Sequence, residues 1–293
     1  MKNIFFAFLG LMVLWSCDSK SKKNNLQVGK LQFDILHTVD GKPLITDSLL
    51  YVNAAGNRYE ISEIQWFISD IFAHKADGSS VLVDAVNDIK YVDTDIESSW
   101  AIHPLTSISS GVYTGLSFTF GINEEKNKSL RFVNPPESFM FWPDYLGGGY
   151  HYMKLNGKWI NPQQQAEPFN FHLGIGQIYD TTASKSNYIN LDSCCSRNHC
   201  KGYQPPKKLM PIIGFVQNYF EVQLNQEFTI YDDKTTHLEL VMQIEKWFEG
   251  QHVYDHNHWG GSIMQQQAAM KMACENGLNV FDLKVKGVEN DSK

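Results

Sequence analysis

Long apolar runs, tracts of one charge and signature motifs of catalysis are all scarce in this 293-residue chain, and each absence removes a class of function. The apolar run from Ile4 to Trp15 covers about 12 residues, short of the roughly 20 that a membrane-crossing helix needs. The net charge is −7 and the basic residues gather only at Lys20 to Lys23, which argues against a nucleic-acid partner. There is no Gly-rich phosphate loop, no G-x-S-x-G elbow and no H-E-x-x-H pair, so the common signatures of nucleotide, serine-hydrolase and zinc-protease chemistry are missing. Charged residues make up 19% and aromatics 13%, a balance that suits a well-packed, strand-rich domain and not a disordered or coiled one. No internal repeat, low-complexity tract or domain boundary interrupts the chain.

What is present begins at the N-terminus. Lys2 and the short apolar run form a secretory signal, and Leu14-Trp15-Ser16-Cys17 resembles a bacterial lipobox. On that reading residues 1–17 are signal and lipobox, Cys17 carries the lipid, residues 18–30 are a flexible tether, and residues 31–287 form one domain. The lipid would hold the protein at the cell envelope, with the outer membrane the expected site, facing the periplasm or the exterior. Four cysteines remain: Cys194, Cys195, Cys200 and Cys274. An even number in an oxidising compartment favours two disulfides, for which three pairings exist. A bond between neighbours is strained, so one of Cys194 and Cys195 is expected to pair with Cys200 and the other with Cys274. A thiolate metal site in "CCSRNHC" is the alternative.

Strand signals recur. "LQFDILH" alternates, placing Leu31, Phe33, Ile35 and His37 on one face, and Asp40-Gly41 supplies a turn. "ISEIQWFISDIFAH" is apolar on both faces around Trp66, as a central strand would be, and turns at Asp77-Gly78. "GVYTGLSFTFGI" and "KLNGKW" have the same character, and "FEVQLNQEFTIY" and "THLELVMQIEKWF" read as two antiparallel strands joined at "DDK". Only "SIMQQQAAMKMACENG" reads as a helix, with Ser262 as N-cap, Asn276-Gly277 as stop, and Ile263, Met264, Ala268, Met272 and Ala273 as core contacts. The expected fold is mainly β: an antiparallel β-sandwich with long loops and a short C-terminal helix.

The histidines are the informative polar set. His37 ends an inward-facing row. His151 follows three glycines and, by alternation, shares a face with Met153 and Leu155. His172 in "FNFHLG" stands opposite Phe169, Phe171 and Leu173, on the side of Asn170. His256 and His258 form an H-x-H pair that would share a face if extended. Imidazoles suit copper and zinc, whereas a lone strand histidine is more often a hydrogen-bonded structural residue. His74, His103 and His237 read as surface residues, and Asp93-Thr94-Asp95 as a solvated turn and not a calcium loop.

Taken in order, "YEISEIQWFISDI", "GVYTGLSFTFGIN", "MFWPDYLGGGYHYMKLNGKW" and "FNFHLG" resemble the MbnP-like family of periplasmic or lipid-anchored copper-binding proteins, over roughly Leu31 to Phe281. The resemblance implies a β-sandwich that binds copper through histidines. It also implies, for one branch, a tryptophan-derived kynurenine at the site, made by a di-haem partner enzyme of the cytochrome c peroxidase type. On matching positions His37, His151 and His172 become the candidate ligands and Trp142 the candidate modified tryptophan, with His256 and His258 closing the same site or forming another. The expected role is metal scavenging, buffering or handover, without catalysis by the chain itself. The alternative is a cell-surface β-sandwich module that engages a glycan or a protein and whose histidines are structural.

Overall fold

A computed structural model describes residues 27–183 and 210–290. The longest strand, β4 (Arg58–His74), is the centre of an eight-stranded sheet. It lies between β11 (Met153–Ile160) and β10 (Gly115–Phe120), with β12 (Ala166–Leu173) outside β11 and β15 (Phe220–Leu224) outside β10. The short β3 (Tyr51–Val52), β5 (Ser80–Leu82) and β6 (Ile89–Asp93) also pair with β4. A six-stranded sheet is built on β1 (Val28–Val39), which carries β2 (Lys42–Pro43), β7 (Ala101–Ile102) and β8 (Ile108–Ser109) antiparallel to it. It runs parallel to β17 (Lys234–Gln243), and β18 (Phe281–Asn290) closes that side. Among the described residues two ribbons add to these sheets: β9 (Gly111–Tyr113) with β16 (Phe228–Ile230), and β13 (Gly176–Tyr179) with β14 (Ile212–Val216).

The alternation read from the sequence explains the packing. Leu31, Phe33 and Ile35 of β1 and Leu238, Leu240 and Met242 of β17 face Ile64, Trp66 and Ile68 of β4 across the main core. Trp66 is fully buried and stacks on Phe120 with ring centroids 6.1 Å apart. The opposite face of β4 is also covered. Phe67 packs with Ile122, Met140 and Tyr150 in a second, smaller core, flanked by Tyr91 and Phe132. Burial on both faces is the physical reason that the middle of β4, from Trp66 to Ile68, is apolar at consecutive positions.

Several expectations are revised. The tether was expected to end at Lys30, but β1 already begins at Val28, and β18 runs past residue 287 to Asn290. The strands read as joined at "DDK" do not pair with each other: β15 pairs β10, β16 pairs β9, and β17 lies parallel to β1. The helix, α2 (Gln267–Gly277), starts five residues after Ser262, which is exposed and caps nothing. Ala268 faces solvent, and Ala269 and Met270 take the core position instead. Cys17, Cys194, Cys195 and Cys200 lie outside the described residues. Cys274 is a free thiol that donates to the Asn218 carbonyl at 3.3 Å.

Candidate metal centre

The segment from Glu137 to Tyr152 is folded back on itself by a bridge between Phe141 and Tyr150 and by the Trp142 amide donating to the Gly149 carbonyl at 2.8 Å. Gly147, Gly148 and Gly149 all have positive φ, at 120°, 71° and 78°. A side chain at Gly149 would also meet Asn127 Oδ1 at 2.5 Å, the same oxygen that accepts the Tyr150 amide. Only glycine meets both demands. The folded segment delivers His151 at a bend just before β11, where its backbone amide donates to the Met140 carbonyl at 2.6 Å.

The alternation expected to place His151 with Met153 does not survive that bend. Met153 and Leu155 enter the main core, whereas the His151 ring meets His172 at a centroid separation of 5.1 Å and 87° between planes. His172 projects from β12 on the side opposite Phe169, Phe171 and Leu173, as its sequence pattern predicted. Trp142, fully buried, lies edge-on to His151 at 4.6 Å and donates its indole N–H to the Leu146 carbonyl at 3.1 Å.

Both rings are neutral at ordinary pH. Burial pushes His151 down to about 3, helped by the neighbouring His172 and Lys154. Burial and Lys154 push His172 down to about 3 as well. His151 Nδ1 lies 2.9 Å from the Met140 carbonyl, which can only accept. The proton is therefore on Nδ1, and Nε2 keeps its lone pair. His172 places Nε2 2.8 Å from Asn156 Oδ1. Lys154 stands directly across from His172 in the sheet, and its ammonium donates to the Phe139 carbonyl, one residue from the carbonyl that holds His151. A fixed positive charge beside the pair disfavours a divalent cation more than a monovalent one.

The other candidates lie elsewhere. His37 faces the main core, where its Nε2 accepts the Trp66 indole N–H at 3.1 Å. Burial lowers it to about 4, against the pull of Asp93. A neutral ring that accepts at Nε2 carries its proton on Nδ1, so His37 has no lone pair to spare while that bond holds. It forms part of the wall of a cavity of about 250 Å³ with Leu44, Thr94 and Trp100. His256 and His258 are not extended but lie in the short helix α1 (His256–Trp259), where positions two apart point to different sides. His256 is fully buried and His258 is exposed beside Trp259. The H-x-H pair therefore offers no shared face.

Asp93 is buried, not solvated: Tyr91 Oη and Gln65 Nε2 donate to it at 2.6 and 3.1 Å. The carboxylate oxygens of Glu63, Asp93 and Asp95 lie within 4.8 Å of one another. Glu63 is pushed up by burial and by the other two acids, against a hydrogen bond from Asn156. Alternation contained the missed signal. Glu63 and Gln65 on β4 and Lys154 and Asn156 on β11 are polar at every second position, on the face that also carries His172.

The family model described as MbnP matches residues 28–265. The chain belongs to the MbnP family. Among solved structures, MbnP from Methylosinus trichosporium superposes with a TM-score of 0.52 at 14% sequence identity, covering 89% of this chain and 99% of that one. At that identity the likeness establishes the fold, which is the MbnP β-sandwich. No curated protein matches.

Proposed function

We propose that this MbnP-family chain is an exported copper-binding protein, anchored through lipid on Cys17, that scavenges, buffers or hands over the metal. The observation that carries the reading is the pair of neutral imidazoles, buried His151 and half-buried His172, from two different segments. Neutral imidazole is the form that binds copper, and rings held in place by the fold before the metal arrives lower the ordering cost of binding. Each ring commits one nitrogen to a protein oxygen and has a second for a metal. A purely structural role does not require two such rings side by side in a low-dielectric site. Lys154 beside the pair favours Cu(I), the monovalent ion.

Copper would be held by His151 and His172, with Trp142 packed against the first. Trp142 is the position where the family's tryptophan-derived kynurenine would enter this site, and a di-haem enzyme of the cytochrome c peroxidase type would be the oxidising partner. Bound copper supplies a soft Lewis acid, while the protein positions the ligands and excludes water. The test is competition against a chromophoric Cu(I) chelator under anaerobic conditions. One copper per chain is expected, with affinity about tenfold or more lower in His172→Ala. Unchanged affinity in that folded variant would remove the pair from the reading and favour the cell-surface module with structural histidines.

A further inference from the structure

Two neighbouring residues of the polar face share one hydrogen-bonded path to the metal pair. His172 Nε2 lies 2.8 Å from Asn156 Oδ1, and the other end of that amide, Nδ2, donates to Glu63 Oε2 at 3.1 Å. The Glu63 carboxylate fixes which way the amide points, because only the NH₂ end can donate to it. The oxygen end is thereby directed at the imidazole. An amide oxygen can only accept, so the proton of the neutral ring must sit on Nε2.

The backbone is shaped for this path. The pairing of β11 with β4 shifts register immediately after Asn156, where Asn156 faces Glu63 but Gly157 faces Ile61. The extra residue on β4 is Ser62. A bulge of this kind re-aims side chains locally, and here Ser62 and Glu63 both avoid the core while Ile61 and Ile64 enter it. Gly157 permits the shift: a Cβ there would stand 2.0 Å from the Glu60 carbonyl oxygen. The neighbouring row, His172 with Lys154 and Lys154 with Gln65, runs in regular register.

We infer that Asn156, oriented by Glu63, is a positioning residue that holds His172 as the Nε2–H tautomer and so presents Nδ1 as its metal-binding atom. The inference rests on the copper reading above. It adds that the two histidines ligate through different atoms, Nε2 of His151 and Nδ1 of His172. Each is held by a neutral acceptor, the Met140 carbonyl in one case and the Asn156 amide in the other. Neutral acceptors add less basicity to the ligand than a carboxylate would, which suits a monovalent ion.

The tautomer is read without metal, from long-range ¹⁵N–¹H correlations of the His172 ring in the purified copper-free protein. Wild type is expected to show Nε2–H. Asn156→Asp keeps the acceptor and should keep that tautomer. Asn156→Ala should lose it and weaken Cu(I) binding about tenfold or more. Glu63→Ala should weaken binding by less, and should add nothing further in the Asn156→Ala background, because it acts through the amide. A wild-type ring protonated on Nδ1, or a folded Asn156→Ala protein with unchanged tautomer and affinity, would overturn the inference. The expected tautomers together with no copper uptake by wild type would uphold the part played by Asn156 and sink the copper reading instead.

Discussion

His256 offers a quantitative test of how this fold treats its histidines. The ring is fully buried, with neither nitrogen hydrogen-bonded. It is boxed by Phe169, Tyr254, Phe248, Trp159 and Tyr59 at centroid distances from 4.4 to 6.2 Å. Burial lowers its pKa from 6.5 to about 3, against the pull of Asp255. The unfolded chain takes up a proton as pH falls through 6.5, while the folded ring stays neutral until about 3. Stability is therefore unaffected above that window and is lost progressively as pH falls within it. At pH 5.0 the loss is about 2 kcal/mol, and at pH 7.5 it is below about 0.1 kcal/mol.

His256→Leu isolates this effect, since no hydrogen bond of the ring is lost and an apolar side chain suits the box. Urea unfolding of wild type and variant, copper-free, at pH 7.5 and pH 5.0 gives two stability differences. The packing change is common to both and cancels, as do the contributions of His37, His151 and His172. The variant should gain about 2 kcal/mol on wild type between the two conditions. An equal difference at both pH values would mean that the ring is hydrated or protonated inside the fold, which would refute the reasoning.

Other outcomes follow from the same geometry. His37→Ala leaves the Trp66 indole N–H without its acceptor in the core; it should destabilise the protein by about 1–3 kcal/mol in urea unfolding while leaving copper affinity unchanged. Lys154→Met should raise affinity for divalent metals relative to Cu(I), on the order of tenfold, and Lys154→Arg should not; competition titrations with Zn(II) and Cu(I) read the difference. Cys17→Ser should stop incorporation of labelled fatty acid in growing cells, and equal labelling of wild type and variant would exclude the anchor.

Strict alternation was legible wherever a strand stays regular. It placed Phe33 and Ile35 inward, His172 opposite its apolar neighbours, and Trp66 on a strand buried on both faces. It failed where the backbone departs from regular pleating. The bend at Tyr152 redirects His151 toward His172, and a single turn of helix separates His256 from His258. Long-range pairing was equally hidden. Nothing local in "THLELVMQ" shows that it lies parallel beside "LQFDILHT", more than 190 residues earlier, since parallel partners share no turn. The polar row of Glu63, Gln65, Lys154 and Asn156 was visible as alternation. Its meaning appeared only once the two strands were paired, because each segment alone looks like an ordinary solvated face.

One copper ion is expected between His151 and His172 and none at the other histidines. Anomalous diffraction at the copper edge from crystals of the copper-loaded protein tests it directly. One strong peak is expected within bonding distance of His151 Nε2 and His172 Nδ1. A peak at His37 or His256, or at the Glu63, Asp93 and Asp95 carboxylates with none at the pair, would contradict it.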